Sequence, residues 1–355
     1  MIVKKWFRAK LSGLIKKAAN SKLLQSIIWG TDETKSLKPL DFFKDSAGNN
    51  FKRYEGLREL VVPRFTGVLD PAPDPPVVKS SEILNAKNAI IAMENFIQIH
   101  GYSIKGKNIL EVGCHGGAHA YAMIELGAKH VDGIDTPQYG IRQTPGKKES
   151  KETIDSQSNW LKQLREKTAR LYEKKWSCSV KDNVDFFDLN VINLNKENTY
   201  DAVMSWQTLE HITDPRKALD NMFKSLHAGG IGFHVYNPFF CINGGHSLCT
   251  LDFPYGHARL CHTDFENYIQ FYRPQEFAVA KNFFYYSLNR MTLSDLKYYC
   301  ESVGFEILDF IPWHMKQDLG SVNKKILLQI KTLYPTVKVS DLLSRSVWIL
   351  LKKPS

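Results

Sequence analysis

The feature that most constrains this chain is a short apolar run ending in glycines, Ile109-Leu110-Glu111-Val112-Gly113-Cys114-His115-Gly116-Gly117. The apolar part is too short for a helix and reads as a buried strand. Glycines directly after a strand let the chain turn tightly and bring its backbone against a bound group. The helix that follows then begins beside that group. Such a strand–turn–helix unit belongs to a parallel sheet with helices on its faces. A dinucleotide fingerprint counted from Gly113 would need glycine at His115 and Ala118, and both positions fail.

The alternation continues in both directions along the chain. Strands are expected at 108–112, 130–134, 184–187, 200–205, 231–236, 305–310 and 346–351, and helices at 118–126, 149–174, 214–226 and 292–302. This is an α/β, doubly wound, mostly parallel sheet. Before it, Ser80 or Ser81 opens a helix carrying Ile83, Leu84, Ile90, Ile91, Phe96 and Ile97, and Gly101 is placed to end it. Residues 30–80 show no sustained period, and Pro71-Ala72-Pro73-Asp74-Pro75-Pro76 reads as a linker. The expected division is a basic N-terminal extension with a Pro-rich linker over 1–80, a cofactor-binding core over 81–236, an aromatic-rich insert over 237–290 and a return to the sheet over 291–355.

Composition narrows the class of protein. No apolar run approaches the ~20 residues that cross a bilayer. The six cysteines include no C-x-x-C pair, which suits reduced thiols and a cytoplasmic protein. The net charge of +10 is concentrated in residues 1–31, which hold seven Lys/Arg and no acid. Val3, Phe7, Leu11, Leu14, Ile15 and Ala18 recur there at helical spacing. A helix over residues 1–28 could lie on an anionic membrane, touch a nucleic-acid backbone, or pack on its own domain.

Two more strand ends carry carboxylates. Gly133-Ile134-Asp135 closes the second strand, where an acid can accept from both hydroxyls of a ribose. Phe187-Asp188-Leu189 closes the third; Asp188 could accept from an adenine amino group while the backbone amide of Leu189 meets a ring nitrogen. Three such features in order resemble the class I, Rossmann-like methyltransferases that use S-adenosylmethionine. Their E-x-G-x-G-x-G pattern is met at Glu111, Gly113 and Gly117 and broken only at His115. The stretch Leu209-Glu210-His211…Asp214-Pro215 is similar to the branch containing ubiquinone-biosynthesis O-methyltransferases, as is Met291-Thr292-Leu293…Gly304-Phe305. A weaker likeness, through Gly117-Ala118-His119 and Gly133–Gln138, is to the tRNA wobble-uridine carboxymethyltransferases. The resemblance implies a seven-stranded sheet with its last strand antiparallel, and S-adenosyl-L-methionine across the strand ends. Glu111, Gly113, His115 and Gly117 would shape the methionine side, Asp135 the ribose, and Asp188 and Leu189 the adenine. Ser205, Trp206 and Gln207 would line the face of methyl transfer.

His211, just after the fourth strand, is the candidate base, with a structural histidine at a helix start as the alternative. The insert supplies aromatics with His246, His257 and Tyr255 as candidate contacts to the acceptor, beneath a lid. Cys241, His246, Cys249, His257, Cys261 and His262 crowd the same stretch, but their spacing fits no common zinc pattern and no metal is expected. A small-molecule acceptor methylated at oxygen is the leading expectation. RNA modification and a non-catalytic scaffold, favoured by His115, are the alternatives.

Overall fold

The computed structural model describes residues 33–62, 74–136 and 150–355; the basic N-terminal helix expected over 1–28 lies outside them. A hairpin of β1 (Pro39–Lys44) and β2 (Asn50–Tyr54) stands apart from the main sheet. That sheet contains β3 (Asn108–Val112), β4 (His130–Asp135), β5 (Val184–Asp188), β6 (Tyr200–Trp206), β7 (Leu226–Tyr236), β8 (Glu306–His314) and β9 (Ser344–Lys352). Their order is β5-β4-β3-β6-β7-β9-β8, with every pairing parallel except those of β9. The seven strands and the antiparallel last strand are as the sequence resemblance implies.

The strand order reverses between β3 and β6. In an open α/β sheet, that reversal leaves a crevice beyond the carboxyl ends of the two strands. Helices close both faces. Helix Ser80–Ile99 buries Ile83, Ala86, Ile90, Met93 and Ile97, spaced three and four apart, so one stripe faces the sheet. It shares a core with helices Ala118–Glu125 and Lys151–Trp176. On the other face lie Pro215–Ser225 and Leu293–Ser302. The first of these begins with Pro215 behind an Asp214 cap that accepts from the Lys217 amide at 2.9 Å.

A second core is built from the insert. Phe239, Phe253, Tyr255, Phe265, Tyr268 and Phe284 are all buried there, and the Phe265 and Phe284 rings stack at 4.0 Å. Where the sequence shows no sustained period, the hairpin brings Phe43 and Phe51 into this cluster, and helix Lys324–Leu333 adds Ile326 and Ile330. The hairpin is pinned by Ser46, whose hydroxyl and amide both donate to Asp264 at 2.9 Å. The insert is therefore a packed body and not a loose loop. Its own core consumes most of its aromatics.

Candidate active site

The turn after β3 is held in shape from two sides. Gly113 and Gly117 take left-handed φ angles of 78° and 76°. A Cβ on Gly113 would sit 2.2 Å from Thr208 Oγ1, so the loop after β6 presses directly on the turn. A Cβ on Gly117 would meet the Phe186 ring at 2.4 Å, which makes that glycine a requirement of packing. Between them, His115 takes φ 39°, and its ring lies 6.3 Å from that of Trp160, centre to centre. The backbone amide of His115 donates to Asp135 at 2.7 Å, and the Thr136 amide donates to the other Asp135 oxygen at 2.7 Å. Each carboxylate oxygen keeps a lone pair for a ligand.

Arg165 locks the turn from the opposite side. This buried residue on helix Lys151–Trp176 donates to the His115 carbonyl at 2.9 Å, lies 3.7 Å from Asp188, and stacks over Phe186. It thus joins the ends of β3 and β5. Sequence reading missed it because an arginine on a long polar helix carries no local signal.

Two cavities meet at this turn. One, of about 290 Å³, is lined by Gly113, His115, Asp135, Leu189, Asn190, Trp206, Gln207, Thr208 and His211, with Ile134, Val191 and Ile212 as apolar walls. The other, of about 660 Å³, lies between helices Ser80–Ile99 and Lys151–Trp176. It is lined by Glu82, Asn85, His119, Trp160 and Thr168 among apolar side chains. Gly113, His115, Trp206 and Gln207 face both.

The remaining expected residues divide clearly. Glu111 is buried beneath the turn, with His119 Nδ1 3.4 Å from its carboxylate. Burial pushes its carboxyl up, and His119 offsets part of that rise. Glu111 shapes the turn from below and lines neither cavity. Asp188 also lines neither and is turned toward Arg165. The Leu189 amide donates to the Asp135 carbonyl at 2.8 Å, so it is spent inside the protein and does not meet a ring nitrogen. Leu189 instead contributes an apolar wall. Ser205 is fully buried and bonded to His234 Nδ1 at 2.8 Å, since alternate residues of β6 face opposite sides of the sheet. Thr208, which the sequence did not single out, takes its place on the cavity.

His211 lines the smaller cavity, and its Nδ1–H donates to the Ser287 carbonyl at 2.6 Å. A carbonyl can only accept, which fixes the Nδ1–H tautomer. Burial pulls its pKa down to about 4, with the Ser287 carbonyl resisting, so the imidazole is neutral near pH 7. His246 comes from the insert to within 5.0 Å, ring centre to ring centre. Tyr255 and His257 line neither cavity. Tyr255 is buried with its hydroxyl 3.0 Å from Ser321, and His257 Nε2 donates to the Phe239 carbonyl at 2.8 Å. Both are packing residues of the second core, which corrects the expectation that they touch the acceptor.

A reversed doubly wound sheet, a glycine turn against the crevice, and a carboxylate at the next strand end define a nucleotide-cofactor enzyme. A family model described as a methyltransferase domain matches residues 89–309, and the chain belongs to that family. That model describes a methyltransferase domain, and S-adenosylmethionine is the cofactor that the sequence resemblance implies for it. Over 131 residues it is 26% identical to a tRNA U34 carboxymethyltransferase of Alteromonas mediterranea, a match covering 37% of this chain and 32% of that protein. The chain thus spans about a third of the length of the curated relative it matches. Among solved structures it is similar to phosphoethanolamine N-methyltransferase 2 of Haemonchus contortus, at 15% identity, covering 76% of this chain and 53% of that one, with a TM-score of 0.42. It is also similar to an S-adenosylmethionine-dependent methyltransferase of Mesorhizobium loti, at 11% identity, covering 70% and 92%, with a TM-score of 0.39.

The residues present suit the cofactor. Asp135 offers a carboxylate for the ribose hydroxyls, Ile134, Leu189 and Val191 offer a flat apolar slot for adenine, and the bare backbone of Gly113 allows close approach. Among the described residues, no helix is long and apolar enough to cross a membrane.

Proposed function

We propose that this enzyme methylates an oxygen atom of a small-molecule acceptor, with His211 as the group that takes the acceptor's proton. In this reading the adenosine half of the cofactor occupies the smaller cavity, against Asp135 and Leu189. Its amino-acid end reaches the larger one, where Glu82, Asn85, His115, His119 and Thr168 offer partners for an ammonium and a carboxylate. Bound there, S-adenosylmethionine supplies an electrophilic methyl group on a sulfonium. The protein's part is to align the acceptor with the C–S bond and to remove its proton.

The observation that carries the reading is His211 itself. Its ring is neutral, its Nδ1–H tautomer is fixed, and the residue lines the cavity. The proton passes from the acceptor hydroxyl to Nε2, the O–CH3 bond forms, and the C–S bond breaks to leave a neutral thioether. The insert, which brings Phe283 to 5.9 Å from the His211 ring, would act as the lid over this edge. The likeness of 209–215 to the ubiquinone-biosynthesis branch supports oxygen as the acceptor atom.

The first test is calorimetric titration with S-adenosylhomocysteine, followed by a screen of phenols, sugars and aliphatic alcohols with labelled cofactor. His211→Gln should lower kcat about 100-fold or more on a hydroxyl acceptor while KM changes little. Transfer confined to amine acceptors and indifferent to that change would refute the reading. RNA modification is the second reading, favoured by the partial likeness to a tRNA carboxymethyltransferase. It requires tRNA binding that weakens steeply with salt.

A further inference from the structure

We propose that Glu210, His211 and His246 bind one divalent transition-metal ion, Zn²⁺ or a first-row neighbour, at the seam between the sheet and the insert. Each residue offers one ligand atom, and the three atoms lie within 4.8 Å of one another. In a tetrahedral site with bonds of about 2.1 Å, ligand atoms stand roughly 3.4 Å apart. Side-chain rotation of about an ångström therefore closes the set. Two imidazoles and a carboxylate suit zinc and its neighbours better than calcium or magnesium, which prefer all-oxygen sites.

A second observation points the same way. Glu210 is completely buried, and its carboxylate has no side-chain partner, only weak backbone contacts to its own amide and that of Asn237. His246 Nε2 is likewise buried without a partner. Such atoms are costly to leave unbonded, and a cation between Glu210 and His246 would satisfy both residues at once. His211 is already set up as a ligand, because metal-binding histidines give their other N–H to a carbonyl or carboxylate, as Nδ1 does here to Ser287. His246 is delivered by a strained turn. It takes φ 51°, and a Cβ on the preceding Gly245 would lie 2.6 Å from the backbone of Cys249 and Thr250.

A second cluster, His130, Asp132 and Asp185, shows the contrast. There His130 already pairs with Asp132 at 3.0 Å and lies 3.4 Å from Asp185, and Asp132 also accepts from the Tyr200 hydroxyl. Those groups satisfy one another at the surface and need no ion.

The role of the ion rests on the methyltransferase reading, although its binding does not. His211 reaches the cavity wall, so a position left open on the ion would face the acceptor. A hydroxyl held there is acidified and loses its proton to solvent, while the O–CH3 bond forms and the C–S bond breaks. In the metal-loaded protein His211 serves as a ligand, and its part as base belongs to the metal-free protein.

The test uses the full chain dialysed against a chelator, then titrated with Co²⁺ by visible absorption and with Zn²⁺ by calorimetry. One equivalent should bind with a d–d band typical of nitrogen and oxygen ligands. Glu210→Gln and His246→Gln should each weaken Zn²⁺ at least about 100-fold, while Asp185→Asn should change nothing. Zn²⁺ should also raise the wild-type unfolding temperature reversibly with chelator, a readout that needs no variant. No stoichiometric binding by the folded chain, or binding unaltered in both Gln variants, would overturn the proposal. S-adenosylhomocysteine is titrated separately into the metal-free protein. Cofactor binding without metal binding refutes only the metal site, and the reverse refutes only the cofactor reading.

Discussion

Replacing Gly113 with alanine tests the contact that shapes the cofactor turn. The residue sits at φ 78°, where an L side chain costs about 1 kcal/mol or slightly more. The new methyl would lie 2.2 Å from Thr208 Oγ1 and 2.6 Å from its Cγ2, so Thr208 must move. Overpacking of this kind costs roughly 1–3 kcal/mol. Moving Thr208 also breaks its hydroxyl contacts to the carbonyls of Trp206 and Val112, at 3.0 and 3.2 Å, for about another 1 kcal/mol. The sum is about 3–5 kcal/mol, and it has two places to appear. If the turn keeps its shape, the cost falls on folding and lowers Tm by about 4–7 °C for a chain this long. If the turn yields, it falls on S-adenosylhomocysteine, whose Kd rises by about 100-fold or more.

Calorimetry and thermal unfolding on the same samples separate these two outcomes. The added variant Thr208→Ala decides the cause. It removes the hydroxyl and the methyl while leaving Cβ, which would still be 3.0 Å from the new group. The double variant should therefore recover about 1–2 kcal/mol of the loss as a coupling energy and no more. Full additivity would show that Thr208 does not press on the turn. Wild-type affinity and stability in Gly113→Ala would refute the close approach altogether.

Three further outcomes are expected. Asp135→Asn puts an amide N–H₂ against one of the two backbone donors that the carboxylate now accepts, at a cost of about 2–3 kcal/mol. Calorimetry should show S-adenosylhomocysteine weakened roughly 30–150-fold. His115→Gly should weaken that affinity by about tenfold or less, the loss of one polar contact from a residue that lines both cavities; a gain in affinity would mean that His115 obstructs the cofactor. Acidification should destabilise the fold through His234 and His257, which burial holds neutral with pKa values of about 3 and about 4. Between pH 6.5 and 4 the unfolded chain binds these protons and the native one does not. Stability then falls with pH by up to about 1.4 kcal/mol per unit for each histidine. Urea midpoints across that range should flatten in His234→Gln.

The sheet was legible because each strand is a short apolar run closed by a turn, and a buried parallel strand has little freedom to be anything else. What failed in the sequence was direction. Ser205, Trp206 and Gln207 are adjacent in the chain, yet pleating sends Ser205 into the sheet while Trp206 and Gln207 face the cavities. Leu189 sits at the expected strand end, but its amide was already claimed by the neighbouring strand. Such claims are long-range and leave no trace in local pattern. Arg165 was invisible for the same reason, as was the burial of the Glu210 carboxylate.

The insert shows where the boundary between packing and chemistry falls. Tyr255, His257 and His246 come from one aromatic stretch and looked alike as candidates. Tyr255 spends its hydroxyl on Ser321, and His257 spends Nε2 on the Phe239 carbonyl, inside the second core. His246 has a buried nitrogen left over, and it faces the two residues of the core loop that also carry the candidate base. What sets His246 apart is its position, with its ring 5.0 Å from that of His211, which lines the cavity. In the proposed reading that position gives the insert's contribution to chemistry to His246 and leaves its aromatic residues the task of holding that histidine in place.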